Sequence, residues 1–307
     1  MQRLTLRLFV VLLTFAIGVS LTAFWAFRPY YIERRNHQEQ ASAKVSAWLV
    51  LHSFLNQDLT KLDAKSRVAM QEAVKVLLGK RSDFSSEYLV PRLISEITNS
   101  QGEKCYVFIE EFPLVMIPGS SGIHVHQFNL AGQFLRSANF SVGYRMDLTE
   151  TKIMNVPELD REVITVRSQP VFNFAKQYEK QYYTLIGDDV LLVRFEDSNG
   201  RMIRNDYDPT HFTIGHTIIG RPAEAWEQAL NSQDTAEVLS TLTWLSGRHR
   251  KPNSPQLEPT DEELSESILV NNVRLNSGVR LTLERLTHAE NAWVREAANS
   301  ALKVEDH

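Results

Sequence analysis

Two histidines one residue apart, His124-Val125-His126, are the pair in this chain best placed to do chemistry. In a strand, side chains at i and i+2 leave the same face, so both imidazoles can reach one metal ion. The competing reading is a polar strand face that holds no ligand. His211 and His216, with Asp206 or Asp208 nearby, are candidates to complete a ligand set from a later segment. Nothing in the linear sequence brings the two groups together. The adjacent acids Glu110 and Glu111 can partner Asp147 or Glu196 as paired carboxylates of a glycosidase-like site, but a carboxylate separation is not readable from sequence. Cys105 follows Lys104, a neighbour able to lower a thiol pKa. A lone cysteine in a strand serves equally as a small core residue. As the single cysteine it excludes an internal disulfide.

Other motifs fall short. Gly119-Ser120-Ser121-Gly122 reads as a turn, because a nucleophile elbow needs G-x-S-x-G between strand and helix. Gly79-Lys80 lacks the earlier glycine of a phosphate-binding loop, and no G-x-G-x-x-G occurs. The segment PGSSGIHVH resembles the start of a cupin motif, a glycine followed by His-x-His. Where cupins carry a Glu four or five residues later, this chain has Leu130 and Ala131. No cofactor is expected. A net charge of −4 over 307 residues argues against a general nucleic-acid binder, which carries a strong basic excess.

The elements around these residues divide the chain into four. Residues 1–32 hold the apolar run LFVVLLTFAIGVSLTAFWAF at 8–27, free of charge and long enough to span a bilayer core of about 30 Å. Arg3 and Arg7 precede it, and Trp25, Phe27, Tyr30 and Tyr31 close it at headgroup depth. We read it as a retained signal-anchor transmembrane helix, with a cleaved signal as the alternative. That places the protein in the inner (cytoplasmic) membrane with its C-terminal region extracytoplasmic, although the Lys and Arg count alone leans the other way.

Residues 33–99 read as juxtamembrane helices. Val45, Trp48, Leu49, His52 and Leu55 mark an apolar face, Asp63 or Ser66 caps a second helix to Leu78 before Gly79, and a third covers about 85–97 from Pro91. Residues 100–219 read as an antiparallel β domain, a sandwich, open barrel or meander. Its strand-like segments, from KCYVFIEEF to HFTIGHTI, recur every ten to twelve residues between glycine-containing turns. Ala175–Tyr182 reads as a short helix. The hairpins HQFNLAGQFLRS and VRFEDSNGRMIRN look alike, through duplication or through shared turn chemistry.

Residues 220–307 return to helices around an exposed loop at 248–263, with Pro222, Asp234 and Asn291 at helix starts. NAWVREAANSAL resembles the second helix of a HEAT-type repeat: a polar cap, Val-Arg, paired alanines, Ala-Leu. QDTAEVLSTLTWL is a weaker match in an earlier unit. The small alanines let a neighbouring helix approach closely. The resemblance implies a protein-binding scaffold, with Trp293 and Arg295 as candidate partner contacts. Two units are fewer than the roughly three that stand alone, so these helices are expected to pack on the β domain.

The sequence therefore describes an α+β protein with one N-terminal transmembrane helix, juxtamembrane helices, a β domain and a C-terminal HEAT-like segment. The function it favours is non-enzymatic: a membrane-anchored envelope protein that binds or scaffolds a protein partner. The alternative is a metal-binding module or metal-dependent enzyme built on His124 and His126.

Overall fold

The computed structural model describes residues 33–34, 36–79, 90–113, 121–143, 146–170, 178–187, 189–203, 213–247 and 272–303. The apolar run at 8–27, the loop at 248–263 and the candidates Asp206, Asp208 and His211 lie outside those residues. Among the described residues no helix is long and apolar enough to cross a membrane.

The chain is α+β, and among the described residues its strands make two four-stranded antiparallel sheets, each a meander in chain order. The first holds β1 (Val90–Thr98), β2 (Lys104–Pro113), β3 (Ser121–Phe128) and β4 (Phe134–Gly143). The second holds β5 (Met146–Val156), β6 (Arg161–Pro170), β7 (Glu179–Ile186) and β8 (Asp189–Glu196).

Local chemistry sets the turns. Asn99, Asn129 and Asp197 each accept two backbone N–H groups, two and four residues on, through one side-chain oxygen. The glycine three residues on takes a left-handed φ: 77° at Gly102, 76° at Gly132 and 74° at Gly200. The likeness of the two hairpins therefore includes a shared turn, which a third copy at Asn99 repeats. After Asp197 the partner segment makes only an isolated bridge, Glu196 to Met202, so the strand expected in RMIRNDY does not form over its described residues.

Four layers result. Ile97, Val107, Ile109, Ile123 and Val125 of the first sheet face Leu148, Ile164, Val166, Tyr183 and Leu192 of the second. Ile94, Phe108 and Phe128, on the other face of the first sheet, pack under helices α1 (residues 36–52) and α2 (Ala64–Leu78) through Leu51, Met70, Val74 and Leu77. Each buried phenylalanine or leucine there contributes about 1.5–3 kcal/mol. On the outer face of the second sheet, Val163, Tyr182, Leu191 and Val193 meet α4 (Ala223–Leu230), α5 (Thr235–Ser246), α6 (Ser277–Leu286) and α7 (Ala292–Leu302), after the short α3 (Ile214–Ile218). Strands covered on both faces lose polar alternation, which explains the unbroken apolar run in β8.

Several expectations need correction. The helix expected at about 85–97 is strand β1 over its described part, and the β domain begins near residue 90. Its buried residues recur every three positions, a helical spacing. The period arises because Ile94 enters the helix-covered face and Ile97 the inter-sheet face. Pro91 is tolerated because β1 is an edge strand with a register shift between Pro91 and Leu93. Of the apolar face expected on α1, Trp48 and, past its end, Leu55 pack partly buried against the core, whereas Val45 and Leu49 are 61% and 64% exposed and the fully buried residues are Ala47 and Leu51, so the face is turned from the expected one. His52 is exposed, its ring nitrogen 3.3 Å from the Tyr106 hydroxyl. HFTIGHTI, expected as a strand, contributes helix α3: the Thr213 hydroxyl caps it by accepting from His216 N–H, and Gly215 lies against the Trp244 ring. Of the helix expected at Ala175–Tyr182, residues 179–182 belong to β7, and 175–177 lie outside the described residues.

The C-terminal helices pack on the second sheet, as expected. Asp234 caps α5 through Ala236 N–H and accepts both arms of Arg161 from β6, at 3.1 and 2.8 Å. Asn291 caps α7 through Trp293 and Val294 N–H, and its amide donates to the Glu158 carbonyl. Ala297, Ala298 and Ala301 are buried where α7 lies against α5.

Candidate metal centre

The β2–β3 register sets Glu110 opposite His124 and Phe108 opposite His126, and the β3–β4 register sets Ser137 opposite His126. Directly opposed side chains on one face are about 4.5–5.5 Å apart at Cβ. Glu110, His124 and His126 thus meet on the helix-covered face of the first sheet, among Phe108, Phe112 and Phe128. They are 2%, 2% and 5% exposed. One ligand atom from each lies within 4.8 Å of the others.

His126 is held at both ring nitrogens. Its Nε2 is 3.1 Å from Glu110 Oε2, and its Nδ1 is 2.6 Å from Ser137 Oγ. The His124 ring stands against Phe112 at 4.2 Å between centroids and nearly perpendicular to His126 at 5.8 Å. Burial, and next the neighbouring His126, push the His124 imidazole down to about 4, so it is neutral at pH 7 and able to donate a lone pair.

Two imidazoles and a carboxylate form a donor set suited to zinc or iron(II), with positions left for water or another ligand. Metal–ligand distances near 2.1 Å put tetrahedral ligand atoms about 3.4 Å apart; the Glu110–His126 pair, at 3.1 Å, is already near that spacing, and the three ligand atoms lie within 4.8 Å of one another. Burying two histidines and an acid on a phenylalanine-rich surface is costly unless they are paired or hold an ion. Without an ion, the Glu110–His126–Ser137 bonds form a polar network of their own.

The other candidates sit elsewhere. His216 is in α3, which packs on α5, across both sheets from His124 and His126. Glu111 points to the opposite face from Glu110, where the Arg92 guanidinium binds it. Glu196 lies on the outer face of the second sheet, bonded to the Tyr182 hydroxyl and 2.8 Å from Arg194. The glycosidase-like pairings of Glu110 or Glu111 with Glu196 are therefore not assembled. Cys105 is buried between the sheets, which pushes its thiol up to about 11 instead of activating it. Trp293 is half-buried, 5.0 Å from the Tyr182 ring and beneath the Arg194 guanidinium. Arg295 is exposed and donates to the carbonyls of Ala289 and Glu290. Trp293 thus ties α7 to the second sheet, and Arg295 ties it to the connection from α6.

Sequence reasoning had the histidine pair but missed Glu110 and Ser137 as its neighbours. The usable signal was an acid on the preceding strand. The missing quantity was the register, because the β2–β3 connection is too long for turn type to define it. No protein-family model, curated protein or solved structure matches the chain.

Proposed function

We propose that the protein is a metal-binding module that holds one divalent transition ion between Glu110, His124 and His126. The observation that carries this reading is the convergence of three buried ligand atoms within 4.8 Å on an otherwise aromatic face. Two nitrogens and one oxygen favour zinc or iron(II) over calcium or magnesium, which prefer oxygen-only shells. The apolar run at 8–27 supports a membrane-anchored module, and the short leader with Arg3 and Arg7 before it favours the metal site on the extracytoplasmic side. Scaffolding by the HEAT-like helices has less behind it, since Trp293 and Arg295 are engaged within the fold.

The test is metal content. The full-length chain, purified in detergent without a histidine tag, is measured by plasma mass spectrometry after growth with zinc and iron supplied. About one ion per chain is expected, lost in the double variant His124→Ala with His126→Ala while the circular dichroism spectrum is kept. A wild-type chain that takes up no stoichiometric zinc, iron or manganese would sink the reading.

A further inference from the structure

The metal reading requires a particular form of His126, and a residue outside the ligand set can impose it. For His126 to coordinate through Nε2, the atom facing Glu110, its ring proton must sit on Nδ1. A ring N–H in a buried site needs an acceptor, and the group that accepts it selects the tautomer. Ser137 Oγ is 2.6 Å from Nδ1 and is the polar atom recorded there. Its position follows from the sheet: β4 pairs with β3 so that Ser137 lies directly opposite His126. Of its same-face neighbours on β4, Leu135 carries no side-chain acceptor and Asn139 lies opposite His124, so Ser137 is the residue of β4 set against His126.

We infer that Ser137 is a positioning residue of the metal centre, accepting the Nδ1–H of His126 so that the Nε2 lone pair is directed at the ion. This rests on the metal reading. Ser137 does not touch the ion. It acts through the imidazole, as outer partners of ligating histidines do, and losing such a partner typically weakens metal binding about 10–100-fold. The serine hydroxyl keeps its own hydrogen, which is free to donate to solvent because Ser137 is exposed. A threonine keeps the acceptor oxygen and suits an exposed strand position. An alanine removes the oxygen alone.

The experiment titrates the full-length chain in detergent with zinc against a competing chelator, for wild type, Ser137→Ala, Ser137→Thr and His126→Ala. Nitrogen-15 NMR of ring-labelled histidine reads the His126 tautomer in the same samples. The inference expects Ser137→Ala to bind zinc about 10–100-fold more weakly at unchanged stoichiometry, with the Nδ1–H of zinc-bound His126 losing its hydrogen-bonded shift and exchanging faster with water. Ser137→Thr should restore both. If Ser137→Ala binds like wild type while His126→Ala loses the ion, the metal centre stands and the role given to Ser137 is wrong. If wild type binds no zinc at all, both fall together.

Discussion

Replacing Glu110 and His126 together separates a site kept for its ligand from a network kept for the fold. Their facing side chains are 2% and 6% exposed and joined at 3.1 Å, so removing one strands the other in an apolar layer. Breaking such a buried pair by losing one partner costs about 3–5 kcal/mol, whereas exchanging both for apolar groups of similar volume is often neutral or stabilising by about 1–4 kcal/mol. His126→Ala should therefore destabilise the metal-free chain by about 3 kcal/mol or more. Glu110→Leu with His126→Phe should leave it unchanged or up to about 4 kcal/mol more stable, since Phe108 and Phe128 already line that face. Ser137, exposed, exchanges its histidine partner for water at little cost. The assay is urea unfolding in chelator, followed by tryptophan fluorescence. Zinc supplied at about a thousand times its dissociation constant should add about 4 kcal/mol to wild type and nothing to the double variant. A double variant several kcal/mol less stable than wild type in chelator would refute the reasoning, because the polar cluster would then be a structural necessity.

Three further outcomes test the fold. Burial raises Cys105 from 9.0 to about 11, so its contribution to stability is complete below about pH 9 and is lost as pH rises toward 11, where the unfolded thiol ionises first; urea midpoints should fall over that window in wild type and fall less in Cys105→Ala. Asp234→Ala removes both a helix cap, worth about 1 kcal/mol, and the bidentate partner of Arg161, so it should cost more in urea unfolding than Asp234→Asn, which keeps the cap. Gly200→Ala should cost about 1–2 kcal/mol for its left-handed φ alone. Gly132→Ala, at the equivalent position of the turn after Asn129, should cost clearly more by the same measurement, because the added Cβ would lie 2.3 Å from the Trp48 ring.

Much of the architecture was legible because it is written in short-range chemistry. Asp63, Asp234 and Asn291 cap the helices they precede, each through a side-chain oxygen that reaches a backbone N–H a few residues on. Gly132, Gly187 and Gly200 sit in turns with positive φ between or after strands. The alanines of α7 face a neighbouring helix. None of these features needs knowledge of a distant partner.

What sequence could not decide was anything set by which face a residue meets. Residues 90–98 carry apolar residues at intervals of three, and only the cover on both faces of β1 makes that a strand. Val45 and Leu49 fit a helical stripe as well as Ala47 and Leu51 do; contact with the first sheet chose the latter pair. Glu110 and Glu111 are neighbours in the chain and opposites in space, because the strand period of two sends one to the histidines and the other to Arg92.

The sequence by itself thus determined the α+β composition, the turns, the caps and the shared direction of His124 and His126. The tertiary structure alone decided that Glu110 joins them and that Ser137 backs them, since both facts depend on inter-strand register. Register is a long-range quantity. It is fixed by burying whole faces in the core at once, and a slip of one residue would turn Glu110 to the inter-sheet side and Glu111 to the histidines.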